Sequence, residues 1–279
     1  MLSGTGSEFG FENEIGTEAE KENEIFSGLI SVRAVLAGAD SGVSGRRIER
    51  IVFADEWLSF HGREGEEKRK LLGYLKAMSA KLGFSLDHAP KQMIEEMTGD
   101  ASCGGIAAFC EKRTLGSLAS DRDKLTGGFY LLLQGVEDPY NLGHAIRSAY
   151  AAGADGILLP EKNCMTSAGI VCRASAGASE RIPLFTFREG DCAVFKAAGY
   201  RIVCADGGKD AQNAVLSDLS LPLLLVIGGE KRGISRDVMA AADLTVKIVY
   251  GRDFPLALSA DSASAVLCFE VLRQKNSRL

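Results

Sequence analysis

The chain has 279 residues, 46% of them hydrophobic, which is long and apolar enough for two ordinary cores and excludes an intrinsically disordered polypeptide. No apolar run reaches the roughly 18–20 residues a membrane helix needs, and the acidic start lacks the features of a signal peptide, so a cytoplasmic protein with no membrane partner is expected. The net charge of −5 does not exclude RNA, because residues 1–28 carry −6 and leave the remainder at +1.

Residues 1–24, rich in Gly, Ser and Glu, read as an acidic tail outside the folded part. Residues 25–113 read as a small α/β unit. Ile25, Leu29, Val32 and Leu36 recur at helical spacing, and 48–53 is strand-like. A long helix fits 64–82, where Leu71, Leu75, Met78 and Leu82 form one stripe. A short strand at 84–86, a helix near 90–97 and a strand at 105–110 complete the unit. Two basic clusters, Arg46, Arg47 and Arg50, then Lys68, Arg69 and Lys70, are candidates for phosphate contacts or simply solvated faces. The polar stretch 114–128 reads as a linker.

From 129 to 279 the pattern is regular. Apolar runs at 129–134, 156–159, 183–187, 200–205, 222–227 and 244–249 alternate with helical stretches, which predicts a parallel sheet covered on both faces. Ligands of such sheets bind at the strand C-termini. The seven cysteines are scattered and read as small buried hydrophobes, and the three histidines, His61, His88 and His144, are too dispersed to indicate a metal site.

Three strand-end segments carry candidate chemistry. In the first, 134–149, a strand turns into a helix beginning near Asn141; Asn141 is placed to cap it and Arg147 lies two turns further in, at the pocket edge. In the second, 223–235, a strand runs into a glycine turn containing Gly228 and Gly229, Glu230 sits in the mouth of the sheet, and Ser235 is placed to cap the next helix. Neither Gly-x4-Gly-Lys-Ser/Thr nor Gly-x-Gly-x-x-Gly is present, which argues against a phosphate loop. In the third, 246–272, a strand breaks at Gly251, a loop carries Pro255, and a small-residue helix begins near Ser259.

In this order the segments resemble the SpoU/TrmH branch of the SPOUT RNA methyltransferases. Asn141 and Arg147 match the family's Asn with an Arg six residues on. Gly228, Glu230 and Gly233 match its Gly-x-Glu-x-x-Gly, and 173–183 is similar to its Ser-Ala-Gly-Ala stretch. The third motif departs: where the family has Ser-Leu-Asn-Val-Ser, this chain keeps Leu258 but has Ser259 and Asp261 in place of the Asn and the second Ser. Residues 25–113 resemble, more loosely, a ribosomal-protein-like substrate-binding domain, best at 104–109.

The resemblance implies a knotted, SPOUT-type parallel-sheet methyltransferase domain preceded by a small α/β RNA-binding domain, assembled as a homodimer that completes each site. It implies S-adenosylmethionine held by backbone around Gly228, Gly229, Ile248 and Leu258, no metal, and a ribose 2′-hydroxyl of ribosomal or transfer RNA as acceptor. Asn141, Arg147, Glu230 and Ser259 take the catalytic positions. A guanidinium is too basic to abstract a proton readily, so Arg147 is expected to clamp a phosphate and steady the developing oxyanion. His144, one turn before it, is a candidate assistant. The alternatives are a non-catalytic RNA-binding relative, a base-nitrogen methyltransferase, and a small-molecule α/β enzyme using a nucleotide or flavin.

Overall fold

The computed structural model describes residues 23–277 except 119–122, 124, 126 and 189. The expected acidic tail lies outside the described residues as far as position 22. Glu24, at its end, opens a strand.

Among the described residues there are two sheets. The first has the order β1-β4-β2-β3, from β1 (Glu24–Ser27), β2 (Ile48–Ala54), β3 (Ser85–Ala89) and β4 (Ile106–Cys110). Strands β1 and β2 run antiparallel to β4, and β3 runs parallel to β2. Helices α1 (Leu29–Asp40), α2 (Gly62–Leu82) and α3 (Lys91–Thr98) accompany it. The stripe expected on α2 is real, since Leu71, Leu75 and Met78 are buried, and the helix stops at Gly83 in the left-handed conformation. Ile25 does not belong to the following helix as its spacing suggests. It pairs with Phe109 in β1, and Gly28, at φ 86°, turns the chain so that α1 starts only at Leu29.

The second sheet, order β10-β12-β9-β11-β6-β7-β8-β5, is parallel at every pairing. Its strands are β5 (Gly116–Ser117), β6 (Phe129–Gln134), β7 (Gly156–Pro160), β8 (Leu184–Phe187), β9 (Arg201–Ala205), β10 (Gln212–Asn213), β11 (Leu223–Gly228) and β12 (Leu244–Lys247). Between them lie α4 (Pro139–Ala151), α5 (Ala168–Ala174), α6 (Asp191–Ala197), α7 (Arg236–Ala241) and, at the end, α8 (Ala260–Asn276). Side chains alternate across the sheet: Leu131 and Leu133 of β6 join one core, Tyr130 and Leu132 a second on the opposite face. That two-sided burial is why the central strands read as unbroken apolar runs. Helix α8 returns against α4 and β11, consistent with the knotted path that the resemblance implies. Within 114–128, Gly116–Ser117 adds an edge strand to the second sheet and Leu118 is buried.

The first core continues from one sheet to the other. At the junction Arg46 has no exposed side-chain surface. Its Nε donates to Glu180 at 3.0 Å, and it also pairs with Glu24. Arg113 donates to the carbonyls of Ser179, Val43 and Ile182 at 2.6, 3.2 and 3.0 Å. Arg46 is therefore a buried junction residue and not a phosphate contact. Arg47 pairs with Glu111, and the Arg50 guanidinium lies 4.5 Å from the centre of the Phe109 ring. The stretch 173–183 packs here too, away from the strand ends: Glu180 and Ser179 are fully buried in it.

Candidate active site

The C-terminal ends of β12, β9, β11 and β6 lie side by side, and three adjoining cavities open along them. The first is a bowl of about 390 Å³ walled by the ends of β9 (Asp206, Gly207), β11 (Gly228) and β12 (Lys247, Ile248) and closed by the loop 250–258. Tyr250 shapes that loop: its hydroxyl accepts the Leu258 backbone N–H at 3.1 Å, and its ring lies 6.2 Å from that of Phe254.

A tight turn, 228–233, separates the bowl from the β6 end. Gly229 donates to the Gln134 carbonyl at 2.7 Å, and Gly233 donates to the Gly229 carbonyl at 2.9 Å. A Cβ on Gly229 would stand 1.9 Å from the Gly135 carbonyl oxygen, so the two turns can pack back to back only without a side chain there. Gly229 accordingly lines the next cavity and not the bowl.

That second cavity, of about 110 Å³, brings together Asn141 from α4 and Glu230 from the turn, with Gly135, Gly229 and Ala260 around them. Asn141 is not the cap of its helix. Asp138 is: its carboxylate accepts the Asn141 backbone N–H at 2.8 Å, and Pro139 fills the first helical position. The Asn141 side-chain amide has no partner among the described residues and is left to the cavity. Ser235 occupies an N-cap position, but its hydroxyl accepts from Gln134 Nε2 at 3.0 Å and does not cap α7.

Arg147 lines neither cavity. It is exposed on α4, six residues and about 9 Å of helix beyond Asn141, and makes no hydrogen bond or ion pair among the described residues. Tyr140, His144 and Tyr150 share its outward side, and His144 Nδ1 lies 3.8 Å from Asp261 at the start of α8. On α8, Val266 and Phe269 are also exposed. Ser259 precedes α8, and its hydroxyl donates to Ser262 Oγ at 2.9 Å. The third cavity, a cleft of about 900 Å³, lies beyond the turn, between the ends of β6 and β7. Among the described residues no cluster of His, Cys, Asp or Glu could hold a metal ion, and no helix is long and apolar enough to cross a membrane.

Sequence reasoning overlooked Asp206, Lys247, Tyr250 and Phe254 as bowl residues. A signal existed for Asp206: it directly follows an apolar run in a parallel sheet, where ligands bind. The loop 250–258 has no periodicity, and nothing in its composition shows which way it folds.

The strand ends of this parallel α/β domain thus carry a bowl, a small polar cavity and an open cleft that share lining residues, the arrangement of a ligand-binding α/β protein. Residues 128–269 match the SpoU rRNA Methylase family. The 23S rRNA (guanosine-2'-O-)-methyltransferase RlmB of Shewanella oneidensis is 30% identical over 264 residues, covering 92% of this chain and 100% of that one. The protein of the same name from Photobacterium profundum is 29% identical over 259 residues, covering 91% and 98%. Two solved structures share the fold. The AdoMet-bound rRNA methyltransferase from Sinorhizobium meliloti has a TM-score of 0.73 at 23% identity, covering 91% of this chain and 88% of that one. The SpoU methyltransferase AviRb from Streptomyces viridochromogenes has 0.70 at 21%, covering 93% and 92%. The chain belongs to the SpoU rRNA methylase family and is an RNA methyltransferase.

Proposed function

We propose that this protein transfers a methyl group from S-adenosylmethionine to a ribose 2′-hydroxyl of ribosomal RNA in the cytoplasm. The observation that carries the reading is the meeting of Asn141 and Glu230 in one cavity, between a bowl on one side and an open cleft on the other. The names of the relatives, which act on 23S rRNA at a guanosine 2′-oxygen, support RNA ribose as acceptor.

The bowl residues fit the methyl donor. Its volume lies in the range of about 300–1,000 Å³ usual for small-molecule sites. Tyr250, Phe254 and Leu256 suit the flat face of a purine, while Asp206 and Lys247 offer charge to a ligand with hydroxyls and a zwitterionic end. Backbone atoms of Gly228 and Ile248 and the Leu258 carbonyl would hold it, the Leu258 N–H being already given to Tyr250. When bound, S-adenosylmethionine supplies a methyl carbon made electrophilic by its sulfonium.

The chain's own residues then orient the acceptor. The bowl and the small cavity adjoin at Ala260, where the methyl carbon and the acceptor oxygen could come into the direct contact that an in-line displacement requires. The free Asn141 amide is available to hold the ribose, and the Glu230 carboxylate places negative charge beside the transfer point. Because Arg147 faces outward beside the exposed Tyr140 and Tyr150 on α4, the arrangement suits a homodimer in which that face is buried and Arg147 serves the partner's acceptor as a phosphate clamp. The test is digestion of RNA methylated by the protein to nucleosides. A 2′-O-methyl nucleoside is expected; a base-methylated product would overturn the assignment.

A further inference from the structure

We propose that the cleft between the ends of β6 and β7 is the channel for the RNA strand carrying the acceptor ribose, and that Lys162 and Arg232, on facing walls, hold phosphates flanking that nucleotide. The inference rests on reading the bowl as the donor site and the small cavity as the transfer point.

The cleft encloses about 900 Å³, against about 390 Å³ for the bowl. It shares Gly135, Val136 and Glu137 with the cavity that holds Asn141 and Glu230, and Gly233 with the bowl. A ligand lying in it therefore touches the turn that walls the donor site, from the far side. The same ligand reaches the cavity of Asn141 and Glu230 through the shared Gly135, Val136 and Glu137, where an acceptor would be presented to the donor.

Each wall is braced from within. Gln134 Nε2 donates to Ser235 Oγ at 3.0 Å, and the Ser235 N–H donates back to Gln134 Oε1 at 2.8 Å, tying the end of β6 to the start of α7. On the β7 side, Asn163 Nδ2 donates to the Pro160 carbonyl at 2.9 Å and its Oδ1 accepts from the Met165 N–H at 2.7 Å, so the segment bearing Lys162 is braced.

Charge decides which ligand class fits. Both carboxylates lining the cleft are countered: Glu137 faces Lys231 at 3.4 Å and Arg232 at 4.0 Å, and Glu161 accepts from Arg188 at 3.1 Å. Lys162 makes no ion pair or hydrogen bond among the described residues. The lining itself holds two acids and two cations, and because Lys231 and Arg188 counter the acids from outside it, Lys162 and Arg232 are left over, a balance suited to a polyanion. An unpaired ammonium on one wall and a weakly paired guanidinium on the other leave charge available to a phosphodiester on each side of a nucleotide turned toward Asn141.

The experiment uses the full chain with Lys162→Gln, Arg232→Gln, and both together. Binding of protein-free large-subunit ribosomal RNA is measured across a potassium chloride series, beside steady-state methylation and S-adenosylhomocysteine affinity by calorimetry. The slope of log affinity against log salt is expected to fall by about 1 for each residue changed. The KM for RNA rises several-fold in the double variant while kcat changes less, and S-adenosylhomocysteine affinity stays at the unaltered level, which also reports an intact fold. An unchanged salt slope and KM, with the unaltered protein active, would overturn the channel alone. Loss of S-adenosylhomocysteine affinity with RNA binding intact would overturn it by assigning the cleft to the donor. Absence of RNA methylation by the unaltered protein would overturn both the channel and the reading on which it rests.

Discussion

Asn141 shows how one residue changes meaning between sequence and structure. As the first polar residue of a helical stretch it reads as a cap, and a cap would have had its side chain consumed by backbone amides. The neighbouring pair Asp138 and Pro139 takes that duty, which leaves the Asn141 amide free in the cavity opposite Glu230. Gly229 is the second residue whose role is set by contact: with the Gly135 oxygen where a Cβ would be, Gly229→Ala forces one turn to move. We expect a loss of about 1–3 kcal/mol in urea unfolding, as for other overpacked sites, with donor affinity falling more than in a Gly251→Ala control, where nothing lies within reach of the new carbon. Ser259 and Asp261, the residues at which the third motif departs, turn toward Ser262 and His144.

At the scale of elements, the strands of the large sheet were legible because strands buried on both faces lose the polar alternation of half-exposed ones. The exceptions are instructive. Strands β5 and β10 are two residues each, Gly-Ser and Gln-Asn, and carry no apolar signal; only their neighbours β8 and β12 define them. Ile25 kept helical spacing with Leu29 and Val32 but went into β1, because pairing with β4 and the positive φ of Gly28 outweighed a coincidental period. The loop 250–258 is held at one point by the Tyr250 hydroxyl. Tyr250→Phe deletes that acceptor and is expected to weaken donor binding by about 0.5–1.5 kcal/mol, read by calorimetry, while the melting temperature changes little.

For the whole molecule, the decisive feature is a polar junction between the two sheets. Arg46→Met leaves the fully buried Glu180 and the mostly buried Glu24 carboxylates without its guanidinium and is expected to destabilise the protein by about 3–5 kcal/mol; adding Glu180→Leu should return part of it, as denaturant unfolding would measure. A second junction is pH-dependent. Hydrogen bonds from Ser102 and Ser27, with the charge of Arg173 on α5, hold the Asp100 carboxyl down at about 2. A carboxyl depressed in the folded state stabilises it fully above the unfolded pKa of about 3.9 and progressively less as pH falls toward 2. The stability difference between the unaltered protein and Asp100→Asn should therefore be constant above pH of about 5 and shrink between about 4 and 2.

The sequence by itself determined the parallel α/β character of residues 129–279 and the glycine turn with Glu230, and it pointed to the strand ends as the candidate place of chemistry, because periodicity, apolar runs and backbone freedom are local properties. Tertiary structure alone decided that Asn141 and Glu230 share a cavity and that Arg147 does not. It also decided that Arg46 is a buried junction residue, and that Lys162, Arg232 and Asp206 line the openings. Each of these depends on which distant segments pack together, and side chains some 70 to 130 residues apart meet only when the sheets close.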